Sequence, residues 1–218
     1  MSNTFLEQEM AALELTLVLA ATRDMGIGLR GTLPWTGLRK EMAYFARITK
    51  RLPSSVEPTA MNAVIMGRKT WESIPPKFRP LKGRLNIVIS RSFAAAPEEP
   101  VNTDSEPVKA SSLEQAISYL RKKPEGTLGR VFVIGGGQVY SSALEMREAK
   151  RVLLTKVTTD FECDTFFSLK LRDDEDNVPE WVQKSKQELD DWAGETVPEG
   201  VQVENDTQYE FQMWEKRE

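Results

Sequence analysis

The sequence predicts an α/β fold in which a mostly parallel sheet lies between two layers of helices. Apolar runs rich in branched residues recur between turn signals, and segments with helical periodicity lie between these runs. Most of the runs are nearly continuous rather than alternating, which is typical of strands buried on both faces. The predicted strands span residues 13–21, 63–66, 85–90, 131–134 and 152–157.

Helical periodicity supports three helices between these strands. The first spans residues 38–51, where apolar side chains recur at steps of three and four. The second spans residues 111–120 and opens with Ser111 and Glu114 at the spacing of a capping box. The third begins near Gln138. Each helix therefore follows one of the predicted strands, as a layered α/β fold requires.

The remaining segments predict a closing strand and solvent-exposed connections. Residues 209–214 alternate with period two, which indicates an antiparallel strand that closes the sheet. Residues 53–62 and 94–107 have the composition of long loops. The acidic run at 173–180 is interpreted as solvated surface. None of these segments resembles an interdomain linker.

Composition excludes several functional classes before any motif is considered. The 218 residues carry a net charge of −4, so no global basic surface is offered to nucleic acid or to an anionic membrane. The absence of histidine excludes an imidazole base and a histidine zinc site, and the lone Cys163 excludes a cysteine-rich metal site. We expect no signal peptide, no membrane span and no metal, and a reducing, cytoplasmic setting.

A glycine motif follows the first predicted strand and has three possible interpretations. Gly26, Gly28 and Gly31 match the G-x-G-x-x-G pattern of dinucleotide-binding folds. Pro34 and Trp35 follow at once, so the last glycine does not open a helix as that fold requires. A plain turn remains open. The preferred interpretation of the motif is a glycine-rich lid over a ligand.

Three other junctions at strand ends have the composition of anion sites. Residues 65–71 leave a strand and place two cations and a hydroxyl at a helix start. Residues 131–140 do the same with three consecutive glycines, and residues 89–92 end a strand with a hydroxyl and a guanidinium. The carboxyl ends of parallel strands share one edge, so the three sites are expected to converge on one phosphate-bearing ligand. Ordinary loops with surface cations are the alternative.

Glu41 is the most informative single residue of the sequence. It lies on the apolar stripe of the first predicted helix, between Leu38 and Phe45, where burial would raise the pKa of its carboxyl group. Such an acid could transfer a proton near neutral pH. A glutamate at the edge of the stripe that points to water is the alternative.

Several longer motifs follow one another along the chain, namely Met25-Gly-Ile-Gly28, Leu33-Pro34-Trp35, Leu38-Arg-Lys-Glu41-x-x-x-Phe45, Ile65-Met-Gly-Arg-Lys-Thr-Trp71, Pro80-Leu-Lys-Gly-Arg84, Gly135-Gly136 and Asp164-Thr-Phe-Phe167. Together these motifs resemble dihydrofolate reductase of the eukaryotic type, and the insert near 53–59 resembles fungal members. The resemblance runs from about Leu13 to Lys216 and implies one domain over 1–218 with its core at 13–216. It also implies a three-layer fold with a sheet of about eight strands.

The resemblance implies NADPH as cofactor and assigns residues to it. Arg68 and Arg91 would contact the 2′-phosphate, which selects NADPH over NADH through charge-assisted hydrogen bonds. Other residues would hold the adenosine phosphates, the pyrophosphate and the nicotinamide. The implied cofactor residues are Ala20, Ile27, Gly31, Thr32, Gly67, Arg68, Lys69, Thr70, Ile89, Ser90, Arg91, Gly135, Gly136, Gly137, Gln138 and Val139.

The resemblance also implies reduction of dihydrofolate by hydride transfer to C6 and protonation at N5. Glu41 would bind the pterin ring, Trp35 would hold a proton-delivering water, and Thr155 would orient Glu41. Arg84 would bind the α-carboxylate of the substrate's glutamate, with a surface cation as the alternative. The implied substrate residues are Val18, Leu33, Glu41, Met42, Phe45, Ile74, Phe78, Leu81, Arg84, Ile134 and Tyr140.

Two rival functions share the cofactor side of the site. One is a pyrimidine reductase of riboflavin synthesis, and the other is a nucleotide-binding relative without turnover. Glu41 together with Arg84 favours folate, and intact Trp35 argues against a silent relative. The family further implies a monomer and inhibition by antifolates such as methotrexate.

Overall fold

The fold is described by a computed structural model covering residues 13–100, 102–171 and 180–217. The acidic run lies outside the described residues except for Glu180, and so does the N-terminal segment 1–12. The strands are β1 (Leu15–Thr22), β2 (Gly26–Gly28), β3 (Met61–Gly67), β4 (Arg84–Ile89), β5 (Val108–Ala110), β6 (Leu128–Val133), β7 (Ala149–Val157), β8 (Thr165–Phe166), β9 (Trp181–Gln183), β10 (Gln202–Glu204) and β11 (Thr207–Lys216). The helices are α1 (Arg39–Lys50), α2 (Arg68–Ser73), α3 (Leu113–Leu120), α4 (Gly137–Leu144) and α5 (Lys186–Ala193).

Eight strands form one continuous sheet in the order β10-β11-β7-β1-β6-β3-β4-β5, and β9 pairs with β11. The pairs from β7 to β5 are parallel, whereas β11 runs antiparallel to β7, β9 and β10. The predicted mostly parallel sheet with an antiparallel C-terminal strand is therefore confirmed. Strands β2 and β8 form a separate small ribbon.

The side chains of the central strands alternate between two hydrophobic cores, one on each face. Leu15 and Leu17 of β1 pack with α3 and α4, whereas Val18 packs on the opposite face with Tyr44 of α1 and Leu189 of α5. Because successive residues of a strand point to opposite faces, a strand buried on both sides needs apolar residues throughout. This explains the continuous apolar runs and confirms the three-layer architecture.

Local details differ from the sequence prediction at the helix starts. The cap of α3 is Ser112, whose side chain accepts a hydrogen bond from the backbone of Gln115, so the predicted cap at Ser111 was wrong by one residue. On α1 the buried aromatic residue is Tyr44, while Phe45 is only half-buried.

Among the described residues, no helix is both long and apolar enough to cross a membrane.

Candidate active site

The glycine turns after β3 and β6 meet at the carboxyl edge of the sheet. These two strands are parallel neighbours, and the backbone N–H of Gly67 donates to the carbonyl oxygen of Gly135 at 2.7 Å. Strand β4 lies on the other side of β3, and its last residue, Ile89, is in register with Gly67. The predicted convergence of three strand ends is thus confirmed.

Any residue other than glycine at these turns would place a side chain in the narrow space between them. A Cβ atom on Gly67 would lie 3.3 Å from Val139, and one on Gly136 would lie 3.3 Å from Thr70. Gly135 has a φ of +114°, and a Cβ there would lie 3.2 Å from the ring of Tyr140. Because no side chain shields the backbone, the first N–H groups of α4, which begins at Gly137 and has no side-chain cap, can approach an anion.

The cationic residues beside these turns are exposed at the same edge. Arg68 forms an ion pair with Glu72 at 2.9 Å, one helical turn away, with both side chains about half exposed. Such a surface pair contributes little and can be exchanged for a phosphate. Lys69 and Arg91 are exposed, and the hydroxyl of Ser90 lies 2.8 Å from that of Ser92. Gln138 is also exposed there.

The glycine motif after β1 forms the β2–β8 ribbon and not a dinucleotide-binding helix. We call residues 26–33 the lid. No helix begins between Gly31 and the start of α1, so the motif does not open a helix as the G-x-G-x-x-G pattern of dinucleotide-binding folds requires. Asp164 anchors the lid, because its carboxylate accepts from the backbone of Arg30 at 2.7 Å and its backbone N–H donates to Gly28. A Cβ on Gly137 would lie 3.9 Å from Ile27, so the lid adjoins the glycine turns.

The Glu41 side chain is buried where β1, β7 and α1 meet. It is 8% exposed, and its carboxylate accepts a hydrogen bond of 3.1 Å from the hydroxyl of Thr155. The pKa of Glu41 is raised to about 7, mainly by burial; the hydrogen bond from Thr155 opposes the rise, and the charge of Glu204 adds to it. The predicted burial is confirmed, and the solvent-facing alternative was wrong.

Two aromatic residues predicted for the site are almost completely buried. The indole N–H of Trp35 has no hydrogen-bond partner among the described residues, and its ring packs edge-on against Phe161. A buried donor of this kind is suited to bind a polar ligand atom or a water molecule. The hydroxyl of Tyr140 donates to the carbonyl oxygen of Val18 at 2.6 Å, so this side chain is bound to the backbone of β1.

Apolar side chains surround the buried acid on the face of the sheet that carries α1. One hydrophobic cluster contains Val18, Phe45, Ile74, Leu81 and Ile134, which the sequence assigned to the substrate. Three further predicted substrate residues are large and exposed, namely Leu33, Met42 and Phe78, with 49%, 52% and 56% of their surface accessible. Ala20 lies beside Thr155 in the register of β1 and β7, and Thr32 is exposed on the lid.

Arg84 is buried rather than a surface cation. It is 7% exposed, and its guanidinium donates to the hydroxyl of Thr49 at 2.8 Å and to the carbonyl oxygen of Lys82 at 3.2 Å. Among the described residues no carboxylate lies within ion-pair distance of it. Burial lowers the pKa of Arg84 to about 10, so the group stays charged at neutral pH. A buried cation without a counter-charge is suited to bind an anionic group.

Helix α1 connects the two ends of the site. Glu41 lies in its first turn, and Thr49, the partner of Arg84, lies near its last residue. Eight residues of helix span about 12 Å. The site therefore offers a hydrogen-bonding acid at one end, a cation about 12 Å away and apolar side chains between them.

Comparison with known proteins gives the family. The family model described as dihydrofolate reductase matches residues 14–195. This chain belongs to the dihydrofolate reductase family. It is 41% identical to the dihydrofolate reductase of Pneumocystis carinii over 92% of this chain and 95% of that protein. The corresponding enzyme of Gallus gallus is 39% identical over 93% of this chain and 96% of that protein.

A solved structure and a further fungal relative agree with this assignment. The dihydrofolate reductase of Schistosoma mansoni has a TM-score of 0.71 and 30% identity, covering 95% of this chain and all of that chain. The enzyme of Candida albicans is 36% identical over 93% of this chain and 97% of that protein. The family and enzyme class expected from the sequence are confirmed, and the matches do not favour a pyrimidine reductase.

Sequence reasoning missed residues that support the site from a distance. Thr49 holds the guanidinium of Arg84, and its spacing of eight from Glu41 on one helix could have been recognised. The Asn86 side chain bonds both backbone groups of Leu81 and so shapes the turn before Arg84. Glu204 binds the start of α1 from 163 positions away, and no local pattern in the sequence signals this contact.

Proposed function

We propose that the chain catalyses the NADPH-dependent reduction of 7,8-dihydrofolate to 5,6,7,8-tetrahydrofolate. The observation that carries this proposal is a pair of buried ionisable groups: Glu41 in the first turn of α1, and Arg84 of β4, which binds Thr49 near the last residue of that helix. Dihydrofolate has a pterin ring at one end and glutamate carboxylates at the other. Its length and polarity therefore match the spacing of the two groups, and family membership points to the same substrate.

The reaction assigns separate tasks to the buried residues. Glu41 binds the pterin 2-amino and N3 groups, and Thr155 fixes the orientation of the carboxyl group. The indole N–H of Trp35 holds the water through which a proton reaches N5 of the pterin. The raised pKa of Glu41 keeps a proton available near neutral pH. The apolar side chains of the cluster around Val18 and Phe45 would exclude other water and fix the ring in place.

The glycine turns fit NADPH, which supplies the hydride that adds to C6 when it is bound. The open backbone of residues 135–137 would hold the pyrophosphate, and Thr70 and Ser90 would add hydroxyl donors. Ala20, Ile27 and the lid would contain the nicotinamide. Arg68 and Arg91 would bind the 2′-phosphate, because both are exposed cations beside the turns.

Replacing both arginines tests the cofactor assignment. We expect Arg68→Ala combined with Arg91→Ala to lower kcat/KM for NADPH by about 100-fold, since two charge-assisted bonds contribute about 1.5 kcal/mol or more each. The value for NADH should change little. Steady-state kinetics with both cofactors measures the ratio, and Arg147→Ala is the control for loss of a surface charge. An unchanged NADPH/NADH ratio would refute the phosphate assignment.

The activity itself is tested by the loss of absorbance of reduced nicotinamide. Consumption of NADPH should require dihydrofolate and stop when methotrexate is added. A folded protein that binds NADPH without consuming it would support the silent relative, and turnover of a pyrimidine substrate would support the other rival.

We further propose that the chain acts as a single cytoplasmic domain and a monomer. Its product would supply one-carbon units for thymidylate, purine and glycine synthesis.

A further inference from the structure

The first turn of α1 has an unusual partner. The residue that precedes the helix, Leu38, has no side chain able to cap it. Instead, the carboxylate of Glu204 on β10 accepts hydrogen bonds from the backbone N–H of Lys40 at 2.9 and 3.0 Å and from that of Glu41 at 3.3 Å. An acid at a helix N-terminus satisfies unpaired N–H groups and complements the helix dipole.

The β10–β11 hairpin holds Glu204 in this position. Its two-residue turn consists of Asn205 and Asp206, with φ values of +45° and +59°, which is the geometry of a tight hairpin. The side chain of Asn205 donates to the carbonyl oxygen of Gly37 at 3.0 Å. The hydroxyl of Tyr209 donates to Glu204 at 2.5 Å. Glu204 and Asn205 therefore dock the hairpin against the start of α1, and Tyr209 holds the Glu204 side chain from within the hairpin.

We propose that Glu204 is a positioning residue of the reductase site, which fixes the turn that carries Glu41 and places a second carboxylate beside the Glu41 carboxyl group. The proposal rests on the role proposed for Glu41. Two nearby carboxylates do not ionise with equal ease, because the first negative charge disfavours the second. Glu204 would carry the charge, and Glu41 would hold the proton.

The environments of the two carboxylates support this division. Burial of Glu204 alone would raise its pKa, but the hydrogen bonds from Tyr209, Lys40 and Glu41 outweigh burial and lower it. For Glu41, burial raises the pKa most and the charge of Glu204 adds to the rise, whereas Thr155 opposes it. Glu204 is therefore ionised at a pH where Glu41 is still protonated.

The other titratable groups around Glu41 keep their charge state near neutral pH. Tyr44 of α1, Tyr140 of α4 and Tyr209 of β11 all interact electrostatically with Glu41, and burial raises the pKa of each. These tyrosines remain neutral. Lys40, next to Glu41 on α1, is exposed, and its charge favours the ionised form of Glu204. Among the described residues, Glu204 is thus the anion whose charge acts on Glu41.

The decisive variant is Glu204→Gln, which keeps an acceptor oxygen for the helix N–H groups and removes the charge. We expect the pKa of Glu41 to fall by about half a pH unit to one unit. Two readouts report it: the pH profile of kcat/KM for dihydrofolate, and carbon-13 NMR titration of the Glu41 carboxyl group, assigned by Glu41→Gln. Glu199→Gln, the same change at an exposed residue of the preceding loop, should leave both at the parent value.

The NMR titration separates this proposal from the proposed function, because it needs no turnover. An inactive protein whose Glu41 titration shifts in Glu204→Gln would refute the reductase activity and retain the electrostatic coupling. An active protein with the parent pKa in Glu204→Gln would refute the coupling.

Two further variants distinguish charge from structure. Glu204→Asp keeps the charge and should keep the pKa of Glu41 within about 0.3 unit of the parent. Tyr209→Phe removes a contact of the hairpin but not the charge, so the pKa of Glu41 should not fall. A purely structural role predicts instead that Tyr209→Phe and Glu204→Gln lower it alike, and that result would overturn the proposal.

Discussion

Glu41→Gln is expected to bind NADPH nearly as the parent does and to lose turnover by about 100-fold to 10,000-fold, the usual contribution of general acid–base catalysis. The amide has the same shape and can still accept the bond from Thr155. It cannot hold or release the proton that the reaction needs. The loss should be most severe up to neutral pH, where the parent carboxyl group, with a pKa raised to about 7, still holds its proton, and should shrink at higher pH.

The measurement is single-turnover hydride transfer from pH 5 to pH 9, together with NADPH affinity from quenching of protein fluorescence. In the parent the rate should fall as pH rises through the pKa of Glu41, because the protonated acid is lost. In the variant this step should disappear. Glu125→Gln, at an exposed loop residue, should behave as the parent at every pH. Parent-like turnover in Glu41→Gln would reject the assignment.

The same variant should be more stable than the parent above neutral pH. The pKa of Glu41 rises from its ordinary value of 4.5 to about 7 on folding, so between these values the native state binds more protons than the unfolded state. Stability therefore falls as pH rises through this window, by up to about 3 kcal/mol. Glu41→Gln lacks this loss. Urea unfolding at pH 5 and pH 8 should show the difference only at pH 8, and equal stabilities at pH 8 would contradict it.

The burial of Glu41 could be predicted because it depends on a local pattern. A helix returns to the same face every three to four residues, so a carboxylate between Leu38 and Phe45 lies on or at the edge of the face that packs against the sheet, and burial was one of the two outcomes expected. The strand-end glycines could be located for a similar reason, since parallel strands place their carboxyl ends at one edge. These predictions need only the helical period and the direction of the strands, both of which the sequence contains.

The contacts of the site could not be predicted where they depend on distant segments. The burial of Arg84 depends on its approach to Thr49 across 35 positions, and the cap of α1 comes from Glu204 on another strand. Such pairs form only after the whole sheet has assembled, and one sequence does not reveal them. The cap of α3 is Ser112 and not Ser111, a difference of one residue. Hydrophobic periodicity does not locate a helix start that closely.

The second large effect is expected from Arg84→Met. The variant should raise KM for dihydrofolate by about 100-fold, because loss of one partner of a buried charge pair costs about 3 kcal/mol. The value of kcat should change much less, since Arg84 binds Thr49, which lies about 12 Å along α1 from Glu41. We expect no loss of stability. Burial already opposes the charge of this guanidinium, and Thr49 keeps its bond to the carbonyl oxygen of Phe45.

A substrate without the glutamate tail provides the sharpest comparison for Arg84. A dihydropterin that lacks the glutamyl group has no carboxylate for Arg84, so the parent and Arg84→Met should reduce it with equal kcat/KM. Arg147→Met, which removes an exposed charge, should behave as the parent with both substrates. If Arg84→Met impaired both substrates equally, the guanidinium would act on the shape of the site and not on the substrate carboxylate. A selective loss with dihydrofolate would show that the buried cation at the end of α1 recognises the substrate's anionic tail.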